Sequence, residues 1–158
     1  MPDRKPPRLR EDERTTLLAL LQYVRDSLVR KVDGVDDASA RSSPVASATS
    51  LLWLLKHMAR AESLWVLLRF ADLDVAPPED TVGPHDTVDS AAAAYRRMWS
   101  QVDAVVLAEP SLDATTRGTG DDTPVNLRWV LMHLLEETAR HAGHADIVRE
   151  LIDGDTGR

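Results

Sequence analysis

Four long stretches of helical periodicity, separated by loops, constrain this chain more than any other feature. Apolar residues recur every three or four positions in residues 12–32, 49–71, 87–108 and 124–153, as on one face of an α-helix. No stretch shows the strict alternation of a half-buried strand. The intervening segments contain proline and glycine, which end helices. The sequence therefore predicts an all-α four-helix bundle with antiparallel or crossover connections.

The ends of the chain differ in composition from the helical region. With 158 residues, the length fits one domain with a substantial core. Residues 1–10 are basic and rich in proline, so we expect a disordered tail there. Thr49 or Ser50 can cap the second helix, and Gly154 can end the fourth. We predict one domain over residues 11–154, followed by a short tail at 155–158.

Charge and cysteine content exclude several classes of function. A formal net charge of −7 argues against sequence-independent nucleic-acid binding and against docking on anionic membranes. The absence of cysteine excludes disulfides and thiolate metal sites. The most apolar helix is interrupted by charged residues, and the N-terminus lacks a signal-peptide pattern. We therefore expect a cytoplasmic protein without a membrane span.

The fourth helix carries a polar stripe in its middle. With a rotation of about 100° per residue, His141 and His144 lie within roughly 40° of Glu137. Val130 and Val148 fall in the same sector, so the stripe is apolar toward its ends. Buried polar groups need partners, and a metal ion can serve several ligands at once. The spacings i, i+4 and i, i+3 bring such side chains close enough to share one ion.

His57 is the complementary residue on the second helix. On the same helical construction its sector is shared by large apolar side chains, so we predict that His57 faces inward. The members of this sector are Trp53, Ala61, Leu64 and Leu68. Taken alone, His57 would be read as a core histidine bonded to a carbonyl or a tyrosine. Beside the stripe on the fourth helix, the metal-ligand interpretation is the better one.

The predicted site is thus a divalent metal held by His57, Glu137, His141 and His144. We interpret His133, one turn before Glu137, as a structural residue. Three protein ligands would leave positions open for catalysis, whereas four would close the site and favour a structural metal. A third alternative is a hydrogen-bonded polar network without any metal.

Two segments, residues 50–65 around His57 and residues 127–154 around the stripe, carry a family resemblance. The chain resembles the DinB/YfiT-like superfamily of metal-dependent four-helix bundles, in particular the actinobacterial branch related to the mini-circle protein. This family places one ligand on the second helix, which corresponds to His57, and two on the last helix, which correspond to Glu137 and His141. His144 stands where the family often has glutamine, which leaves the third ligand as Glu137, His144 or both.

The resemblance also implies a type of activity. Its characterised members are thiol-dependent S-transferases and isomerases that use bacillithiol, mycothiol or glutathione. For this chain it implies a divalent metal such as Zn²⁺ or Ni²⁺, a low-molecular-weight thiol cosubstrate such as mycothiol, and a small electrophilic substrate. It further implies a homodimer. A non-enzymatic bundle with a structural metal is the alternative.

Overall fold

The computed structural model describes residues 5–118 and 123–156, and its regular elements are helical. The helices are α1 (Glu13–Arg30), α2 (Asp37–Arg41), α3 (Leu51–Glu62), α4 (Val88–Ala108) and α5 (Leu127–Asp153). A π-helical segment, Ser63–Phe70, continues α3 directly. The four long helices are therefore confirmed. Within the described residues, the only β pairing is an isolated bridge between Thr115 and Asn126.

Helix α2 is an addition to the predicted architecture, because it lies in the loop that we predicted between the first and second long helices. Asp36 caps it by accepting a hydrogen bond from the amide of Ser39 at 3.0 Å. A helix of five residues is too short to show a periodic apolar pattern. Residues 1–4 of the predicted basic tail, residues 119–122 and residues 157–158 lie outside the described part of the chain. The division into tails and one domain stays a prediction.

Polar side chains start the long helices. Side-chain oxygens of Asp12, Ser50, Thr87 and Asn126 each accept a hydrogen bond from an amide three residues later, which satisfies an unpaired donor of the first turn. The sequence allowed either Thr49 or Ser50 as the cap of this helix, and the structure shows that Ser50 is the cap. At the other end of α5, Gly154 has a φ of 78°, the left-handed conformation that glycine adopts without strain.

The π-helical segment changes which side chains reach the core after Glu62. A π-helix closes i→i+5 hydrogen bonds and turns less per residue than an α-helix. Val66 and Phe70 are buried, whereas Leu64 and Leu68 are only half-buried. His57, Leu64 and Leu68 have the same half-buried character, so their shared inward sector stays a prediction. His57 itself lies at the edge of the core and is half-buried.

A charged pair crosses the middle of the bundle. Arg25 of α1 and Glu62 of α3 have no exposed surface, and two hydrogen bonds of 2.9 and 2.5 Å join them. The Tyr95 hydroxyl donates to Glu62 at 3.0 Å, and Arg25 also donates to Asp103 at 2.9 Å. Burial raises the pKa of the Glu62 carboxyl, against the opposing effect of Arg25. These contacts tie α1, α3 and α4 together.

The packing of the helices places the predicted site between α3 and α5. Helix α1 packs along α5, α3 packs along α4, and α3 also contacts α5. Buried apolar side chains from these helices form the interior on both sides of the charged pair. His57 of α3 and the polar stripe of α5 therefore face each other across one helix–helix contact.

Candidate metal centre

Three of the predicted ligands converge. His57, Glu137 and His141 each offer one ligand atom, and these atoms lie within 4.8 Å of one another. The Nε2 atoms of His57 and His141 lie 3.9 and 3.2 Å from Oε1 of Glu137. His57 and Glu137 are half-buried and His141 is buried, so the cluster opens toward the surface from a largely covered floor.

Trp53, one turn before His57, organises the two imidazole rings. Its indole stacks on the His57 ring with centroids 4.5 Å apart and planes 18° apart. The same indole meets the His141 ring edge-on at 6.1 Å. The two imidazoles approach each other at 5.0 Å between centroids, at a steep angle. Because Trp53 contacts both rings, it limits the orientations that either histidine can adopt.

The charge state of His141 suits a ligand. Burial lowers the pKa of His141, while Glu137 acts in the opposite direction. A lowered pKa keeps the ring neutral near pH 7, and only a neutral imidazole has a lone pair to bind a metal. Glu137 supplies a negative charge beside it, and the guanidinium of Arg140 lies 3.6 Å from that carboxylate.

The other ring nitrogens of both histidines also have partners. Nδ1 of His57 lies 3.1 Å from Oδ2 of Asp80, which belongs to the loop between the π-helical segment and α4. Nδ1 of His141 lies 3.3 Å from Nδ1 of His144. His144 is exposed and lies outside the group of three converging ligand atoms. Sequence analysis missed Asp80, because nothing in the loop sequence indicates which acidic residue returns to the site.

His133 lies in a separate aromatic cluster on the same helix. Its ring stacks on Trp129 with centroids 5.0 Å apart and meets Trp65 at 4.7 Å. Trp65 and Trp129 also contact each other at 5.3 Å. The ring contacts give His133 a structural environment away from the three converging ligands.

Two cavities are lined by side chains that contact the centre. The first, of about 590 Å³, includes Trp53 and Asp80, both of which contact His57. The second, of about 410 Å³, includes His144, which contacts His141. Ser47 and Thr49, in the turn around residues 45–49, line both cavities. The hydroxyl residues of the first are Ser47, Thr49, Ser50 and Thr81, and the aliphatic residues of the second are Val45, Ile147 and Val148.

The chemistry of the donor set fits a divalent transition metal. Two imidazole nitrogens and one carboxylate oxygen are ligands that Zn²⁺ accepts, and imidazole also suits Ni²⁺. The spread of 4.8 Å between ligand atoms is compatible with their closing on one ion at bond lengths of about 2.0–2.2 Å. The residues present therefore fit the group that the resemblance implies.

The helical bundle and its cluster of two histidines and a carboxylate between α3 and α5 define a DinB/YfiT-like protein. The sequence profile described as mycothiol-S-transferase matches residues 16–154. The chain belongs to this mycothiol-S-transferase family. Membership supports a function of the thiol S-transferase type in general.

A solved structure supports the fold. The crystal structure of a conserved protein from Enterococcus faecalis aligns with a TM-score of 0.60 and covers 92% of this chain and 99% of its own. At 19% sequence identity, the alignment bears on the fold alone. Comparison with curated proteins finds no match. None of the helices in the described residues is long and apolar enough to cross a membrane.

Proposed function

We propose that this chain is a metal-dependent S-transferase that joins a low-molecular-weight thiol, such as mycothiol, to a small electrophile. The observation that carries the proposal is the convergence of His57, Glu137 and His141 beside two cavities. When bound there, Zn²⁺ or Ni²⁺ would supply a Lewis acid that favours the deprotonated form of a coordinated thiol.

The number of converging residues favours catalysis over a structural role. A structural zinc is closed by four protein ligands, whereas a catalytic one keeps a position for water or substrate. In the described part of the chain, three ligand atoms meet and His144 stands outside them. The centre is also only partly covered, since His57 and Glu137 are half-buried. A small thiol can reach such a centre.

The two cavities suit the two substrates. The hydroxyl-lined cavity beside His57 can hydrogen-bond a hydrophilic thiol, and the aliphatic cavity beside His144 can hold an apolar electrophile. In the transfer, the sulfur bonds to a carbon of the electrophile while the bond from that carbon to its leaving group breaks. The leaving group departs with the electron pair, and the thiol proton goes to solvent.

A homodimer in the cytoplasm belongs to the same proposal. Helix α5 exposes large apolar side chains that a contact between subunits would cover. These are Trp129, Met132, Ile147 and Leu151.

We expect the purified full-length chain to contain close to one equivalent of divalent metal and to transfer mycothiol to a haloalkyl probe. Elemental analysis measures the metal, and mass spectrometry of the product measures the transfer. Removal of the metal by a chelator should abolish the transfer, and re-addition of Zn²⁺ or Ni²⁺ should restore it. Transfer at an unchanged rate in metal-free protein would contradict the proposal.

We expect a matched pair of isosteric variants to separate the two cavities. Thr81→Val removes a hydroxyl from the first cavity, and Val45→Thr adds one to the second. Loss of one hydrogen bond should raise the KM for the thiol by about 2–10-fold in Thr81→Val. Val45→Thr should raise the KM for the electrophile by a similar factor. Steady-state kinetics with each substrate varied in turn gives both values, and an exchanged pattern would reverse the assignment.

A further inference from the structure

We infer that Asp80 and His144 are positioning residues, which hold the rings of His57 and His141 with Nε2 directed at one ion, and that His144 is not a ligand of that ion. The inference rests on the proposed function for the presence of the ion. The ring orientations that it describes exist in the metal-free protein as well. It therefore assigns the third ligand position to Glu137 and not to His144.

The contact between Asp80 and His57 determines which nitrogen of His57 is free. A carboxylate accepts hydrogen bonds and does not donate them. Nδ1 of His57, at 3.1 Å from Asp80, must therefore carry the proton. In a neutral imidazole, Nε2 then has the lone pair, and Nε2 is the atom that faces Glu137 at 3.9 Å. Asp80 thus fixes both the tautomer and the ring plane.

His144 makes the corresponding contact to His141. Nε2 of His141 faces Glu137 at 3.2 Å, while its Nδ1 lies 3.3 Å from Nδ1 of His144. If Nε2 of His141 is the ligand atom, its Nδ1 carries the proton and donates it to His144. His144 then accepts through Nδ1 and keeps its own proton on Nε2. Metal-bound histidines usually donate their second N–H in this way, to a carboxylate, a carbonyl or water.

The position of His144 argues against its being a fourth ligand. It contacts the nitrogen of His141 that points away from Glu137, so it approaches from the far edge of that ring. It also lines the aliphatic cavity and is exposed, unlike the buried His141. In this arrangement the site keeps three protein ligands, with a carboxylate behind one imidazole and a second imidazole behind the other.

The test compares zinc binding in the full-length protein and in single variants. Competition with a chromophoric chelator gives the affinity, and we expect Asp80→Ala and His144→Ala each to weaken it by about 10–100-fold. His144→Gln should retain most of the affinity, because its carbonyl oxygen can still accept the proton of Nδ1. His85→Ala is the control, because His85 is an exposed histidine of the same loop as Asp80 and lies outside the group of converging ligand atoms.

X-ray absorption of the zinc-loaded proteins separates positioning from ligation. We expect two imidazole ligands in the unmodified protein, in Asp80→Ala and in His144→Ala. Three imidazoles in the unmodified protein and two in His144→Ala would overturn the inference, and so would affinities within twofold of the unmodified protein in both alanine variants.

A third measurement keeps the inference distinct from the proposed function. In metal-free protein, long-range ¹H–¹⁵N spectra should show His57 protonated at Nδ1, toward Asp80, and His141 protonated at Nε2, toward Glu137. When zinc binds, the proton of His141 should move to Nδ1, toward His144. If the protein binds no zinc but shows these tautomers, the proposed function fails and the ring positioning stands. If zinc binds but His57 is protonated at Nε2 in the metal-free protein, or His141 keeps its proton on Nε2 in the zinc-loaded protein, the positioning inference fails alone.

Discussion

Glu62→Leu is expected to destabilise the fold by about 3–5 kcal/mol, the largest loss of stability that we predict for any substitution in this chain. Leucine has a similar volume, so the cost arises from electrostatics and not from a cavity. The change leaves the buried guanidinium of Arg25 with the partly exposed Asp103 as its remaining anionic partner. The Tyr95 hydroxyl loses its acceptor as well. Urea denaturation of the full chain, followed by circular dichroism, measures the loss.

The double variant Arg25→Met/Glu62→Leu is the matched control for this prediction. Replacement of both members of a buried ion pair by apolar residues is often neutral or stabilising, because both desolvation costs disappear together. We therefore expect the double variant to recover most of the stability that Glu62→Leu loses. If the double variant is as unstable as the sum of the two single variants, packing at these positions outweighs the charge effect. If Glu62→Leu is as stable as the unmodified protein, the pair is not desolvated as described.

His141→Ala is expected to lower the zinc affinity by more than the roughly 100-fold that loss of a positioning group can cause. His141 is the most buried of the three converging residues, and it contacts Glu137, Trp53 and the ring of His57. Its removal leaves one imidazole and one carboxylate on different helices, a set that cannot hold an ion tightly. Chelator competition measures the affinity, and elemental analysis measures the metal that remains after purification.

His133→Ala is the matched control on the same helix, two turns before His141. His133 contacts Trp65 and Trp129 and lies outside the converging ligands, so its loss should leave the zinc affinity unchanged. Equal losses in the two variants would mean that general damage to α5 explains the effect. Unchanged zinc binding in His141→Ala would remove the metal centre from this site.

Much of the fold follows from local chemistry that can be read along the chain. The helical periods predicted the four long helices to within a few residues, because each helix must bury one apolar face. The caps at Ser50 and Gly154 follow from hydrogen bonding and backbone freedom at single residues. The grouping of Glu137 and His141 follows from the pitch of one helix.

Other features depend on contacts between distant segments. Arg25 lies in the apolar sector of α1 between Leu21 and Leu28, and Glu62 interrupts an apolar stretch, but the sequence pattern does not link the two residues. Only the tertiary structure shows that Arg25 and Glu62 form one buried ion pair. The π-helical segment similarly left no periodic signal, yet it decides which side chains after Glu62 reach the core.

At the candidate site, too, local sequence determines some features of the polar stripe on α5 and tertiary contacts determine others. The sequence by itself determined that His57 and the Glu137/His141/His144 group could meet, because helical spacing is a local property of the backbone. Which nitrogen of each histidine faces the centre, and which residue stands behind it, was decided only by the tertiary structure. The reason is physical: Asp80 reaches His57 through a loop whose course depends on the packing of whole helices, and ring orientation depends on that contact.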